Sequence, residues 1–136
     1  IADKIYQIQN NPEYIYKLTP REFEEVVAEI FLANGYEVTL TQETRDGGKD
    51  IIVKQMVMGS PFVMFIECKQ YNAKNKVSVN IIRELCGIQT EDKVNKAMVV
   101  TSSFFSKDAI AFAEKRGSLL GLADFNSLMQ WINNYR

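Results

Sequence analysis

Glu67, Cys68 and Lys69 close an apolar run, Phe62–Ile66, and Asp50 opens the strand-like segment before it. A strand alternates its side chains, so Glu67 and Lys69 share one face and Cys68 takes the other. A carboxylate and an ammonium then project together from a strand of Phe, Val, Met and Ile. That is costly when buried without partners. With Asp50 the group holds two carboxylates and a lysine. Two carboxylates suit a hard divalent cation such as Mg²⁺. The lysine suits a water to be oriented or deprotonated, or a phosphate whose charge must be offset. Such a set points to metal-assisted phosphodiester hydrolysis.

Composition narrows the chemistry further. The 136 residues contain no histidine, which excludes His-based triads and His-ligated zinc. Cys68 and Cys86 have no metal-motif spacing and are expected to be reduced, intracellular and part of the core. A net charge of −1 means that any nucleic-acid binding must come from a local patch. No apolar run approaches the roughly 20 residues of a membrane span. No secretory leader is visible, so the expected compartment is the cytoplasm. The chain starts at Ile1 rather than Met, so flanking domains are expected.

The elements that must position these residues can be read from caps and periodicity. Asp3–Asn11 is weakly helical, and Pro12–Leu18 is a lead-in carrying Tyr14 and Tyr16. Thr19-Pro20-Arg21-Glu22 is a helix start with a capping box, and Gly35 is its stop. The apolar stripe of that helix is Phe23, Val26, Val27, Ile30 and Phe31. At about 100° per residue Glu24 lies at the edge of the stripe, while Glu25 and Glu29 are expected in solvent. Strands are predicted over Tyr36–Thr41, Asp50–Val57 and Phe62–Lys69. The turns between them are Asp46-Gly47-Gly48 and Gly59-Ser60-Pro61. Ser78 is expected to cap a helix to about Asp92, and Ser106 one to about Arg116. Ala97–Thr101 is a short apolar strand expected to be buried on both faces, Leu119–Leu122 is another short strand, and Asp124 starts a closing helix through Trp131. Strands alternating with helices after a meander imply an α/β sandwich with a mixed sheet.

These residues, taken in order, resemble a known family. The pattern runs Leu18-Thr19-Pro20-Arg21-Glu22-Phe23-Glu24-Glu25, Gly35-Tyr36, Asp46-Gly47-Gly48-Lys49-Asp50 and Glu67-Cys68-Lys69-Gln70-Tyr71. It is similar to the Mrr-like restriction endonuclease domain of the PD-(D/E)XK nuclease superfamily. Weaker matches follow at Val77, Arg83-Glu84-Leu85, Gly87, Val100-Thr101-Ser102 and Phe105-Ser106-Lys107-Asp108-Ala109. The resemblance covers about Leu18 to Met129. It implies that Asp50 and Glu67 are acidic metal ligands and Lys69 the catalytic lysine. It also implies that Glu24 matches the first-helix glutamate that completes the site in Holliday-junction resolvases. Gln70 stands where a basic residue is frequent, and Lys49 replaces a commonly apolar one.

The expected fold is therefore a three-layer, restriction-endonuclease-like sandwich with a central mixed sheet flanked by helices. Residues 1–17 form a helical lead-in and 18–136 the nuclease domain. The expected activity is Mg²⁺-dependent endonucleolytic cleavage of DNA, with Mn²⁺ as substitute, in a defence protein that forms a homodimer or larger assembly. Catalysis is assigned to Glu24, Asp50, Glu67 and Lys69, with Asp50, Glu67 and Glu24 at the metal. Contacts to nucleic acid are assigned to Gln70, Lys74, Lys76 and Arg83, in the stretch from Lys69 to Arg83, which carries four cations and no acid. Asp46 and Glu22 are read as turn and cap residues. Tyr71 is read as either a stacking residue or strand-end packing, and Thr101-Ser102-Ser103 as a cap for the next loop in preference to donors of hydrogen bonds near the site. Two other readings remain: a branched-junction resolvase, and a non-catalytic nucleic-acid or protein-interaction module with the same fold.

Overall fold

The computed structural model describes residues 1–41 and 50–136. The expected Asp46-Gly47-Gly48 turn and Lys49 lie outside the described residues. Five strands form one sheet in the order β1 (Glu37–Leu40), β2 (Ile51–Val57), β3 (Ser60–Lys69), β4 (Lys96–Thr101) and β5 (Leu120–Ala123). The first three are antiparallel neighbours, and β3–β4 and β4–β5 are parallel. The sheet is mixed, as the order of elements implied.

Helices cover both faces. On one side lie α1 (Ala2–Asn10), α2 (Pro20–Ala33) and α5 (Phe125–Asn134), with a 3-10 turn over Pro12–Lys17. Their apolar residues meet Ile51, Val53, Met64, Ile66 and Val100 in one core. On the other side α3 (Val79–Asp92) and α4 (Lys107–Arg116) cover Ala97, Val99 and Leu120. β4 thus contributes to both cores, which explains its unbroken apolar run. Ile5, Ile8 and Ile15 of the lead-in are fully buried and belong to the first core.

Local chemistry sets the ends of α2, which carries Glu24. Glu22 N–H donates to Thr19 Oγ1 at 3.1 Å, and Thr19 N–H donates to Glu22 Oε1 at 2.8 Å, closing the capping box. At the far end Gly35 takes a φ of +93°, which costs glycine little. Its N–H donates to the Leu32 carbonyl and that of Tyr36 to the Phe31 carbonyl, a Schellman closure. The Phe31 and Tyr36 rings pack edge-on at 5.7 Å over it.

Three local expectations are corrected. The β2–β3 turn is shorter than Gly59-Ser60-Pro61: Met58 and Gly59 form it, at φ of +49° and +83°. Val57 then pairs with Ser60, and Pro61 sits inside β3 opposite Met56. Proline is accommodated because β4 pairs with β3 only from Met64 onward. Ser78 makes no side-chain cap to α3; its carbonyl accepts from Ile81 N–H instead. Glu25 and Glu29 are half-buried, since α1 and the segment after α5 pack beside them. Tyr135 of that C-terminal segment donates its hydroxyl to Glu29 Oε2 at 2.6 Å.

Candidate active site

The charged residues gather where the C-terminal end of β3 meets the start of β2. Glu67 is only 5% exposed and Lys69 is half-buried. Lys69 Nζ lies 3.3 Å from Glu67 Oε1, so the two side chains do share a face. Cys68, between them, packs against the core on the α2 side, as alternation requires. Both cysteines are free thiols.

Asp50 is fastened to the same strand end. Its N–H donates to the Ile66 carbonyl at 2.8 Å, and its Oδ2 accepts from Cys68 N–H at 2.7 Å. The carboxylate therefore lies against the backbone that joins Glu67 to Lys69. Burial pushes the Asp50 carboxyl above its ordinary range, opposed by the Cys68 N–H and by the charges of Lys69 and Arg21. Burial pulls the Lys69 ammonium down, but the charge and hydrogen bond of Glu67, with Tyr71 and Asp50, outweigh it and leave the pKa raised. Lys69 is thus a cation at neutral pH, suited to holding a water or a phosphate oxygen. The Cys68 thiol is pushed well up, first by burial and then by Asp50, Glu24 and Glu67. A thiol so placed is no nucleophile.

Glu24 enters from α2, on the same side as Cys68. Its Oε1 accepts from Arg21 Nη1 at 2.9 Å. The same Nη1 donates to the Thr41 carbonyl at 2.9 Å. Thr41 in turn donates to the Asp50 carbonyl twice, through N–H at 3.0 Å and Oγ1 at 3.1 Å. Arg21 and Thr41 escaped sequence reasoning. The signal for Arg21 was its place three residues before Glu24, the spacing of neighbours on a helix. The cap explained that segment well enough to hide it.

Buried hydroxyls hold the chain just past Lys69. Thr101, Ser102 and Ser103 are all buried. Thr101 Oγ1 donates to the Lys69 carbonyl at 2.6 Å and Ser102 Oγ to the Tyr71 carbonyl at 2.7 Å. Ser103 Oγ donates to the Asn75 carbonyl at 2.8 Å. Their expected role as a cap for the following loop is corrected: they tie down the segment after β3. Gln70 works to the same end, donating from Nε2 to the Ile15 and Leu18 carbonyls at 3.1 and 2.7 Å. Tyr71 packs against the second core. Lys74 and Lys76 are exposed on the loop. Arg83 is exposed on α3, with its guanidinium 5.6 Å from the centre of the Phe112 ring, which Arg116 also covers at 4.4 Å.

The donor set fits a magnesium-like ion. Its groups are hard carboxylate oxygens held on a strand end, with Lys69 beside them. Among the described residues no three acidic or thiol side chains form a ready cage. Mg²⁺ asks for none, because it is commonly bound through one or two carboxylates plus water and substrate phosphate. Asp50 and Glu67 are the residues that would hold it.

A family model described as restriction endonuclease, the Mrr catalytic family, matches residues 15–132. The protein y4cE of Sinorhizobium fredii (strain NBRC 101917 / NGR234) is 32% identical over 102 residues, which cover 75% of this chain and 26% of y4cE. The fold is shared with the DNA modification-dependent restriction endonuclease AspBHI, at a TM-score of 0.73 and 22% identity, over 96% of this chain and 34% of that one. It is shared also with MspJI restriction endonuclease, solved in complex with a 27-mer oligonucleotide, at a TM-score of 0.63 and 15% identity. That match covers 97% of this chain and 30% of MspJI. The chain thus spans about a quarter to a third of the length of these proteins.

Proposed function

The chain belongs to the Mrr catalytic family of restriction endonucleases, and on that premise we propose that it is the cleavage domain of a Mg²⁺-dependent endodeoxyribonuclease. The observation that carries the reading is the bond from the Cys68 N–H to Asp50 Oδ2, on the backbone between Glu67 and Lys69, whose own carboxylate and ammonium lie 3.3 Å apart. One strand end thereby offers metal-binding oxygens and a fixed cation together.

In this reading Asp50 and Glu67 hold Mg²⁺ or, as a substitute, Mn²⁺, with Glu24 assisting from α2. A bound ion of this kind lowers the pKa of water and neutralises charge that develops on the phosphate. Lys69 donates hydrogen bonds from Nζ to orient the attacking water and to offset negative charge on the phosphate oxygens. Glu67 holds that ammonium in place. The exposed Lys74 and Lys76 offer backbone phosphate contacts beside the site, and Arg83 offers one farther along α3. Target selection falls to parts of the protein outside this domain. Its biological role would be defence against foreign DNA in the cytoplasm.

Incubation of the protein with supercoiled plasmid tests the reading. Nicked and linear products should form with Mg²⁺ or Mn²⁺ and vanish with EDTA. Cleavage that persists in EDTA, or that survives both Asp50→Asn and Glu67→Gln, would overturn it.

A further inference from the structure

We propose that Arg21 is a positioning residue for this site: it ties Glu24 on α2 to the Thr41–Asp50 junction and so fixes where Asp50 presents its carboxylate. The inference rests on the nuclease reading for its functional meaning, but not for its geometry.

An Arg–Glu pair three residues apart on a helix is ordinarily worth little. This one differs in reach. A single nitrogen, Arg21 Nη1, contacts both Glu24 Oε1 and the Thr41 carbonyl, each at 2.9 Å. Thr41 lies 20 residues downstream, just beyond β1. It grips the Asp50 carbonyl by two hydrogen bonds. Asp50 then places Oδ2 on the Cys68 N–H. The chain of contacts therefore runs from α2, through Arg21 and the end of β1, to Asp50 and the end of β3. It joins the parts of the fold that supply Glu24, Asp50 and Glu67.

Neither the cap nor the apolar packing of α2 needs Arg21. The N-terminus of α2 is already closed by Thr19 and Glu22, and its apolar face is buried through Phe23, Val26 and Val27. Geometry does explain it. Catalytic groups must be held within about 0.5 Å of their productive places, by neighbours that are themselves fixed. Among the described residues Asp50 is held through its backbone and the Cys68 N–H, and Arg21 links that backbone to the helix carrying Glu24.

The test uses Arg21→Gln and Arg21→Lys in the full chain. Hydrogen exchange of individual amides is the deciding measurement. Arg21→Gln should speed exchange at Thr41 and Cys68 by about tenfold, the scale of one lost charge-assisted hydrogen bond, while the melting temperature stays close to wild type. Mg²⁺ affinity by calorimetry should fall about tenfold, as for the loss of a ligand's outer support. In the cleavage assay kcat should fall with little change in KM for DNA, and Arg21→Lys should recover part of both losses. Unchanged exchange at Thr41 and Cys68 overturns the inference. So does faster exchange spread evenly over α2 and the sheet with a lower melting temperature, which marks a merely structural role. A wild-type protein that neither binds Mg²⁺ nor cleaves DNA would instead overturn the nuclease reading, with the exchange data still deciding the role of Arg21.

Discussion

The Cys68 N–H donates to Asp50 Oδ2 across 2.7 Å, so a carboxylate at the entry to β2 is held by the backbone between two charged residues of β3. The bond uses an N–H at the very end of β3. It satisfies a donor there and holds the Asp50 carboxylate against the backbone.

Asp50→Asn separates these roles. The amide oxygen of asparagine can still accept from Cys68 N–H, and the substitution removes a charge that burial disfavours. The melting temperature should hold or rise. Cleavage should fall by about 10²-fold or more, the scale of losing a fixed electrostatic group. A variant that unfolds while its folded fraction cleaves normally would mean that Asp50 is structural.

Lys69 and Glu67 should be coupled in stability as well as in catalysis. Glu67 is 5% exposed and its Oε1 is 3.3 Å from the ammonium. Removing one partner of a buried pair leaves a charge uncompensated. Lys69→Met is expected to cost about 1–3 kcal/mol, less than for a fully buried pair, because the Lys69 side chain keeps 29% exposure. Adding Glu67→Gln should recover most of that loss in a denaturant titration, while cleavage stays abolished. Additive losses would show that the contact is incidental.

Much of this site was legible because local rules decide it. The period of two along β3 puts Glu67 and Lys69 together whatever lies around them. The Thr19–Glu22 box and Gly35 set the ends of α2, and hence the direction from which Glu24 arrives. What stayed hidden depends on contacts far apart in sequence. Glu25 and Glu29 read as solvated because the helix pattern carries no sign of α1 and the C-terminal segment packing beside them. The binding of the Gln70 amide to the Ile15 and Leu18 carbonyls, 55 and 52 residues away, leaves no trace in spacing. Pro61 read as a turn residue because its tolerance inside β3 depends on where β4 begins to pair.

Thr101→Val tests the hydroxyl ladder behind Lys69. The shape is kept, but the Lys69 carbonyl loses the 2.6 Å bond from Thr101 Oγ1. Thr101 Oγ1 also accepts from Ser103 N–H at 3.0 Å, so a buried donor is orphaned too. A loss of about 1–3 kcal/mol is expected from a denaturant titration. An unchanged midpoint would mean that water takes over both bonds.

Tyr135 makes an alkaline prediction whose sign can be worked out. Its hydroxyl donates to Glu29 Oε2 at 2.6 Å. That hydrogen bond, with burial and the Glu29 charge, raises the phenol from 10.0 to about 12. A group whose folded pKa is raised binds its proton more tightly in the folded state. The stability it contributes is fully present below the unfolded value near 10, and is lost as pH rises toward about 12. Wild type should therefore be more stable than Tyr135→Phe at neutral pH, and the difference should shrink between those two limits. Tyrosinate absorbance should show one phenol ionising later in wild type than any in the variant. A difference in stability that is constant from neutral pH to the alkaline limit would place the contribution of Tyr135 in ring packing, against its neighbour Tyr6, whose ring centre lies 5.8 Å away.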